Sequence, residues 1–225
     1  MIVSLTACEP QGEAVGDSGK SNDIVHDGID VNDIRIVVIG SSSFSLDTSV
    51  LDSCANSGMK ASYVSISDIK NPASAAYDAI RDASNSRSSL VIINEINVNS
   101  HDDSDSSDSS KSSYENSSSK QSNKSKSNKS KLKSRENMSS LRKWESALLD
   151  VRRAGIPVLL VNPIKPPSDT TLYAAKAYFP TYLKDKEKIT KTIKNRNIKK
   201  TSLSKIVRAI IDNIPHEKEV IVDER

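Results

Sequence analysis

The residues of this 225-residue chain that could do chemistry are three histidines, two cysteines and a scatter of serines, asparagines and carboxylates, and their placement argues against catalysis. A general base must stand within hydrogen-bond reach of the proton it removes. His26 and His101 fall in stretches too polar to build a core, and His216 sits near the tail between Pro215 and Glu217. Gly16-Asp17-Ser18-Gly19-Lys20-Ser21 has the look of a phosphate loop, but Ala14 stands where another glycine is needed and no buried strand precedes it. A strained serine elbow would need the same missing strand. His101 with Asp102, Asp103, Asp105 and Asp108 gathers carboxylates without the glycine and terminal glutamate of a calcium loop, and no Cys/His cluster has zinc spacing. Cys54, among Val50, Leu51 and Ala55, reads as a small buried hydrophobe rather than a nucleophile. The expectation is a protein without catalytic residues, metal or cofactor.

Any remaining chemistry is binding, and the elements that would position it follow from the apolar pattern. Short apolar runs alternate with amphipathic ones, the signature of a parallel sheet covered by helices. Strands are expected at Ile34 to Gly40, Ala61 to Ile66, Leu90 to Ile96 and Pro157 to Val161, with a weaker one at Leu172 to Phe179 and a strand-like close at Val220 to Val222. Asp47 or Thr48 can cap a helix that runs through Asn56 and ends at Gly58. Asn71-Pro72 opens a second helix, and Ser139 or Ser140 caps a third, with Leu141, Trp144, Leu148 and Val151 on one face and a stop at Gly155. A fourth is expected from Ser202 to Ile211.

These elements define an α/β domain over residues 33–180, a three-layer parallel sheet, followed by a basic stretch with a helix and strand over 181–225. Residues 99–138, rich in serine, lysine and aspartate, carry Tyr114 and Leu132 almost alone as apolar residues; they bury too little to offset ordering entropy and are expected to form a disordered insertion.

In an open parallel sheet, ligands bind outside the carboxyl ends of the strands where strand order reverses. That rule selects the loops Ser41 to Ser45, Glu95 to Asn97 and Asn162 to Lys165. Their hydroxyls, amides and carboxylate could hydrogen-bond the hydroxyl groups of a small solute, and Phe44 could cover the apolar face of a sugar ring.

Leu90-Val91-Ile92-Ile93-Asn94-Glu95, then a helix, then Arg153-Ala154-Gly155-Ile156-Pro157-Val158-Leu159-Leu160-Val161-Asn162, resembles the first lobe of type-1 periplasmic sugar-binding proteins. The resemblance covers roughly Ile34 to Ile164. It implies that Ser42, Phe44, Asn94, Glu95, Asn162 and Lys165 line a ligand cleft, and that a transporter permease is a partner. That family encloses its ligand between two lobes, and the chain accounts for one. Half a clamp falls short of the 70–90 per cent burial usual for small ligands unless a partner completes it; a homodimer could restore a cleft, and nothing in the sequence demands one.

Leu5-Thr6-Ala7-Cys8 resembles the lipobox of bacterial lipoproteins, which implies acylation of Cys8, a signal and lipobox over residues 1–8, and a disordered polar tether over 9–32. Only Met1 to Ala7 precede that cysteine, where a signal has a basic start and about 7–15 apolar residues, so the leader reads as truncated. The expected address is the extracytoplasmic face of the cell membrane, held by lipid. Lysines and arginines crowd residues 184–200 without aromatic residues among them, which favours a solvated face or attraction to an anionic surface over nucleic acid. A formal charge of +3 is likewise too mild to argue for nucleic acid. The competing expectation is a structural or interaction lipoprotein in which the sheet is only a scaffold.

Overall fold

A strand buried along its whole length belongs in the middle of a sheet covered on both faces. Both Leu90–Asn94 and Val158–Val161 are of this kind. The computed structural model describes residues 30–67, 69–99, 125–183 and 198–224. Cys8, the tether up to position 29, the motif at 16–21, the carboxylates after His101 and the basic residues 184–197 lie outside them, as do residues 100–124 of the insertion.

The elements run Arg35–Ile39 (β1), Phe44–Asn56 (α1), Lys60–Val64 (β2), Pro72–Asn85 (α2), Leu90–Asn94 (β3), Ser125–Arg153 (α3), Val158–Val161 (β4), Ala175–Tyr178 (β5), Lys200–Thr201 (β6), Leu203–Ile211 (α4) and Glu219–Val222 (β7). The strands form one seven-stranded sheet in the order β2-β1-β3-β4-β5-β7-β6, with every pairing parallel. This is the expected three-layer α/β architecture. The sheet runs past position 180, because β7 inserts between β5 and β6.

Period-2 alternation divides the core into two layers. Ile36, Val38, Leu90, Ile92, Leu159 and Val161 face α1 and α4, meeting Leu46, Val50, Cys54, Ile206 and Ile210. Ile39, Val91, Ile93, Val158 and Leu160 face α2 and α3, meeting Ala76, Ile80, Trp144, Leu148 and Val151. Each Leu or Ile buried here contributes about 1.5–3 kcal/mol. Truncating Leu159, which has no exposed surface, to alanine would cost about 2–5 kcal/mol.

Helix ends follow local rules. Gly58 (φ 70) and Gly155 (φ 73) adopt the left-handed conformation after α1 and α3. In each case the residue after glycine donates back five residues, Met59 N–H to the Cys54 carbonyl at 3.0 Å and Ile156 N–H to the Val151 carbonyl at 3.1 Å, which satisfies carbonyls the helix leaves open.

Several boundaries differ from expectation. The cap of α1 is Ser43, and Asp47 and Thr48 lie inside the helix. Helix α3 begins at Ser125, upstream of Ser139 and Ser140 and within the stretch 99–138. Lysine and arginine are good helix formers, and a helix anchored by the packed face at Trp144, Ala147 and Leu148 can propagate upstream one bond per residue. Thr170–Leu172 is a 3₁₀ turn capped by Asp169, whose carboxylate accepts the Thr171 N–H at 2.9 Å, so the fifth strand starts only at Ala175.

Candidate functional site

The reversal of strand order falls between β1 and β3, since the chain leaves β1 for β2 on one side and crosses to β3 on the other. At the carboxyl ends of these two strands lies a cleft of about 370 Å³. Ile39, Ile93, Ile96, Ala76 and Trp144 build its apolar wall, and Ser41, Ser42, Asn94, Glu95 and Asn97 supply its polar groups. The cleft thus has the composition of a small-ligand site, mostly apolar with a few placed polar groups.

Each polar group is held by its element. Glu95 follows β3 with φ 49, and its N–H continues the ladder by donating to the Val161 carbonyl at 2.8 Å. A glutamate in this left-handed region costs about 1 kcal/mol or more, and such residues cluster at functional sites. Its side chain is 8% exposed, and Ser42 Oγ donates to its Oε2 at 3.4 Å, tying the loop after β1 to the end of β3 across the switch point. The loops after β3 and β4 are joined in turn: the Ile164 and Lys165 N–H groups both donate to the Ile96 carbonyl at 3.0 Å, and Val98 N–H donates to the Lys165 carbonyl at 3.1 Å.

Behind the loop after β1 lies a buried carboxylate that sequence reading took for a cap. Asp47 is 1% exposed and accepts from Ser41 N–H at 2.9 and 3.1 Å, Ser41 Oγ at 3.0 Å, Asn94 Nδ2 at 2.8 Å and Tyr63 Oη at 2.7 Å. Burial, and then the bond to Asp47, push the Tyr63 phenol above its ordinary pKa. Gly40 closes the cluster from below, because a Cβ there would stand 2.5 Å from Tyr63 Oη and 2.7 Å from Asp47 Oδ2.

Trp144 approaches from α3, its ring edge-on to Tyr77 with centroids 4.7 Å apart. Its Nε1–H is buried and has no hydrogen-bond partner among the described residues; the same holds for Asn94 Oδ1. A buried indole N–H normally finds an acceptor. Both residues line the cleft, while these two atoms are themselves buried.

Of the six residues that the lobe resemblance placed at a ligand, Ser42, Asn94 and Glu95 line this cleft. The other three do not. Phe44 is the first residue of α1 and is 76% exposed. The Asn162 side chain is turned onto the backbone of Phe179, and Lys165 is an exposed residue whose backbone bridges to Asn97. Trp144 and Asp47 escaped the sequence reading as site residues. The signal for Trp144 was available, since it is the single tryptophan of the chain on a helix face that must be buried.

Among the described residues no group of three or more His, Cys, Asp or Glu side chains is arranged to hold a metal ion, and no helix is long and apolar enough to cross a membrane.

No protein-family model matches the chain, and no curated protein does. Solved structures align with it over 84% of its length. One is the periplasmic binding component of the arabinose ABC transporter from Shewanella sp. ANA-3, bound to arabinofuranose, at 14% identity and a TM-score of 0.40 over 54% of that chain. Others are a galactofuranose-binding protein, at 14% identity and 0.40 over 55%, and a Mycobacterium smegmatis protein in complex with β-D-fucofuranose, at 11% and 0.40 over 55%. The chain spans about half the length of each.

Proposed function

We propose that the protein binds a small polyhydroxylated solute, a sugar, in the cleft between β1 and β3, and that it does so without chemistry. The observation that carries this reading is the cleft at the reversal of strand order, in which Ser41, Ser42, Asn94 and Glu95 stand against the mostly apolar wall of Ile39, Ile93 and Trp144. Hydroxyl groups suit such a lining, since a hydroxyl donates and accepts. Ser42 and Glu95 add further polar contacts at the rim, and Trp144 supplies the apolar surface that a sugar ring needs. In this reading Phe44, Asn162 and Lys165 do not contact the solute from this chain.

The address we propose is the extracytoplasmic face of the membrane, with Cys8 carrying the lipid, and delivery to a transporter permease is the role that fits a binder there. The support is the Leu5-Thr6-Ala7-Cys8 sequence. Mass spectrometry of the amino terminus from native membranes tests it: an acylated Cys8 is expected, and an unmodified Met1 would refute the anchor.

A thermal-shift screen against mono- and oligosaccharides, read in parallel by Trp144 emission, tests the binding reading. A sugar present at a hundred times its dissociation constant should stabilise the fold by about 2.7 kcal/mol. No shift and no change of emission with any sugar would overturn it. The exposed Phe44 and Ile164 at this end of the sheet favour a second reading in that event, a scaffold whose rim meets another protein.

A further inference from the structure

We propose that Asp47 is the positioning residue of the cleft, holding the Ser41 loop in place and setting which end of the Asn94 amide is left as an acceptor. The inference rests on the binding reading for its purpose, though not for its geometry.

Asp47 stands on α1, on the opposite face of the sheet from Trp144, and touches the ends of three strands. Ser41 comes from the loop after β1, Tyr63 from β2 and Asn94 from the end of β3. These are the strands that diverge at the switch point. A carboxylate only accepts, so the group that Asn94 turns toward it must be the amide nitrogen; an oxygen there would set two acceptors against each other. Asn94 Oδ1 is thereby left on the other side of the amide, where it is buried without a partner among the described residues. The amide orientation of a cleft-lining residue is thus dictated by a residue outside the lining.

Stability alone gives a poor account of this carboxylate. All its hydrogen-bonding partners are neutral groups, namely a backbone N–H, two hydroxyls and an amide. Burying an ionised group on such terms is costly, and an apolar side chain would fill the space between α1 and the sheet without that desolvation. What an apolar residue could not do is hold the Ser41 N–H and orient an amide.

The test uses the full chain, labelled with ¹⁵N, and its first readout needs no sugar. The Asn94 side-chain amide, assigned by its disappearance in Asn94→Ala, should exchange with solvent at least tenfold more slowly than a free asparagine amide, and Asp47→Leu, which has no acceptor, should abolish that protection. An Asn94 amide that exchanges freely in the wild-type protein overturns the proposal, even where Asp47→Leu fails to fold; so does protection unchanged in a folded Asp47→Leu. The second readout is titration with L-arabinose and D-galactose. Whichever binds the wild-type protein should bind Asp47→Leu at least tenfold more weakly at a temperature where both proteins are folded, and equal affinity overturns the positioning role. If neither sugar binds the wild-type protein, the loss falls on the binding reading, and the amide exchange alone decides on Asp47.

Discussion

The side-chain amide of Asn162 closes both of its ends on one residue: Nδ2 donates to the Phe179 carbonyl at 3.1 Å, and Oδ1 accepts the Phe179 N–H at 2.8 Å. The Asn162 N–H meanwhile donates to the Ala177 carbonyl at 3.0 Å. With φ at 45°, Asn162 turns the chain away at the end of β4 and fastens it to the end of β5. Its amide is spent on structure. Replacing it with alanine leaves two backbone groups of Phe179 without their partners and puts in the left-handed region a residue that tolerates it less well than asparagine. Each buried group so orphaned costs about 1–3 kcal/mol. Urea denaturation of Asn162→Ala should show a loss of about 2–4 kcal/mol, with sugar affinity unchanged when measured where the protein remains folded.

Gly40 should tolerate no side chain. The Cβ of Gly40→Ala would overlap Tyr63 Oη and Asp47 Oδ2, so Tyr63 must swing out and release its 2.7 Å bond to Asp47. Overpacking of this kind costs about 1–3 kcal/mol. A denaturation midpoint equal to that of the wild-type protein would show that the cluster is softer than its distances imply.

Trp144→Phe separates the two tasks of the indole. Phenylalanine keeps a ring against Tyr77 but removes the buried N–H that has no partner among the described residues. An unsatisfied buried donor costs about 1–3 kcal/mol, so the sugar-free variant should be at least as stable as the wild-type protein. Its sugar affinity, measured by calorimetry because the fluorophore is gone, should fall about tenfold or more. Unchanged affinity would mean that the N–H does not meet the solute.

Burial pushes the Cys54 thiol from an ordinary 9.0 up to about 11. Below pH 9 the folded and unfolded chains both hold the proton, and the thiol adds no pH dependence. Between 9.0 and about 11 the unfolded thiol ionises while the native one does not, so the unfolded state gains and stability falls as pH rises. Stability curves of the wild-type protein and Cys54→Ala should therefore diverge in slope across that window. In a Cys8→Ser background, Cys54 should also resist iodoacetamide at pH 8 until the protein is unfolded, because the thiolate is the reactive form.

The architecture was legible because its causes are local. A continuous apolar run such as Val91-Ile92-Ile93 has few places to go other than the centre of a covered sheet, and Gly58 and Gly155 stop their helices by backbone conformation alone. The lining of the candidate cleft was legible in part. Ser42 and Glu95, which line the candidate cleft, lie in loops selected by the rule that ligands gather at the carboxyl ends of strands, which depends only on topology; Asn94 was implied by the lobe resemblance. Phe44, Asn162 and Lys165 followed from the same loops, yet each is drawn elsewhere by a neighbour or an exposure that no short-range pattern encodes. Asp47 was misread for a related reason. Aspartate near the start of a helix is a good cap, and only the approach of Ser41, Tyr63 and Asn94 from three strands turns it into a buried acceptor.

Order along the chain, the parallel sheet, its helical cover and the end of the sheet where a ligand would sit were determined by the sequence itself, through apolar periodicity and the backbone demands of glycine and proline. Tertiary structure decided which polar groups remain unspent. A hydrogen bond between residues dozens of positions apart, such as Asn94 to Asp47 or Asn162 to Phe179, forms only after the core has brought its partners to within about 3 Å. Whichever donors and acceptors that assembly leaves over are the ones a solute can use.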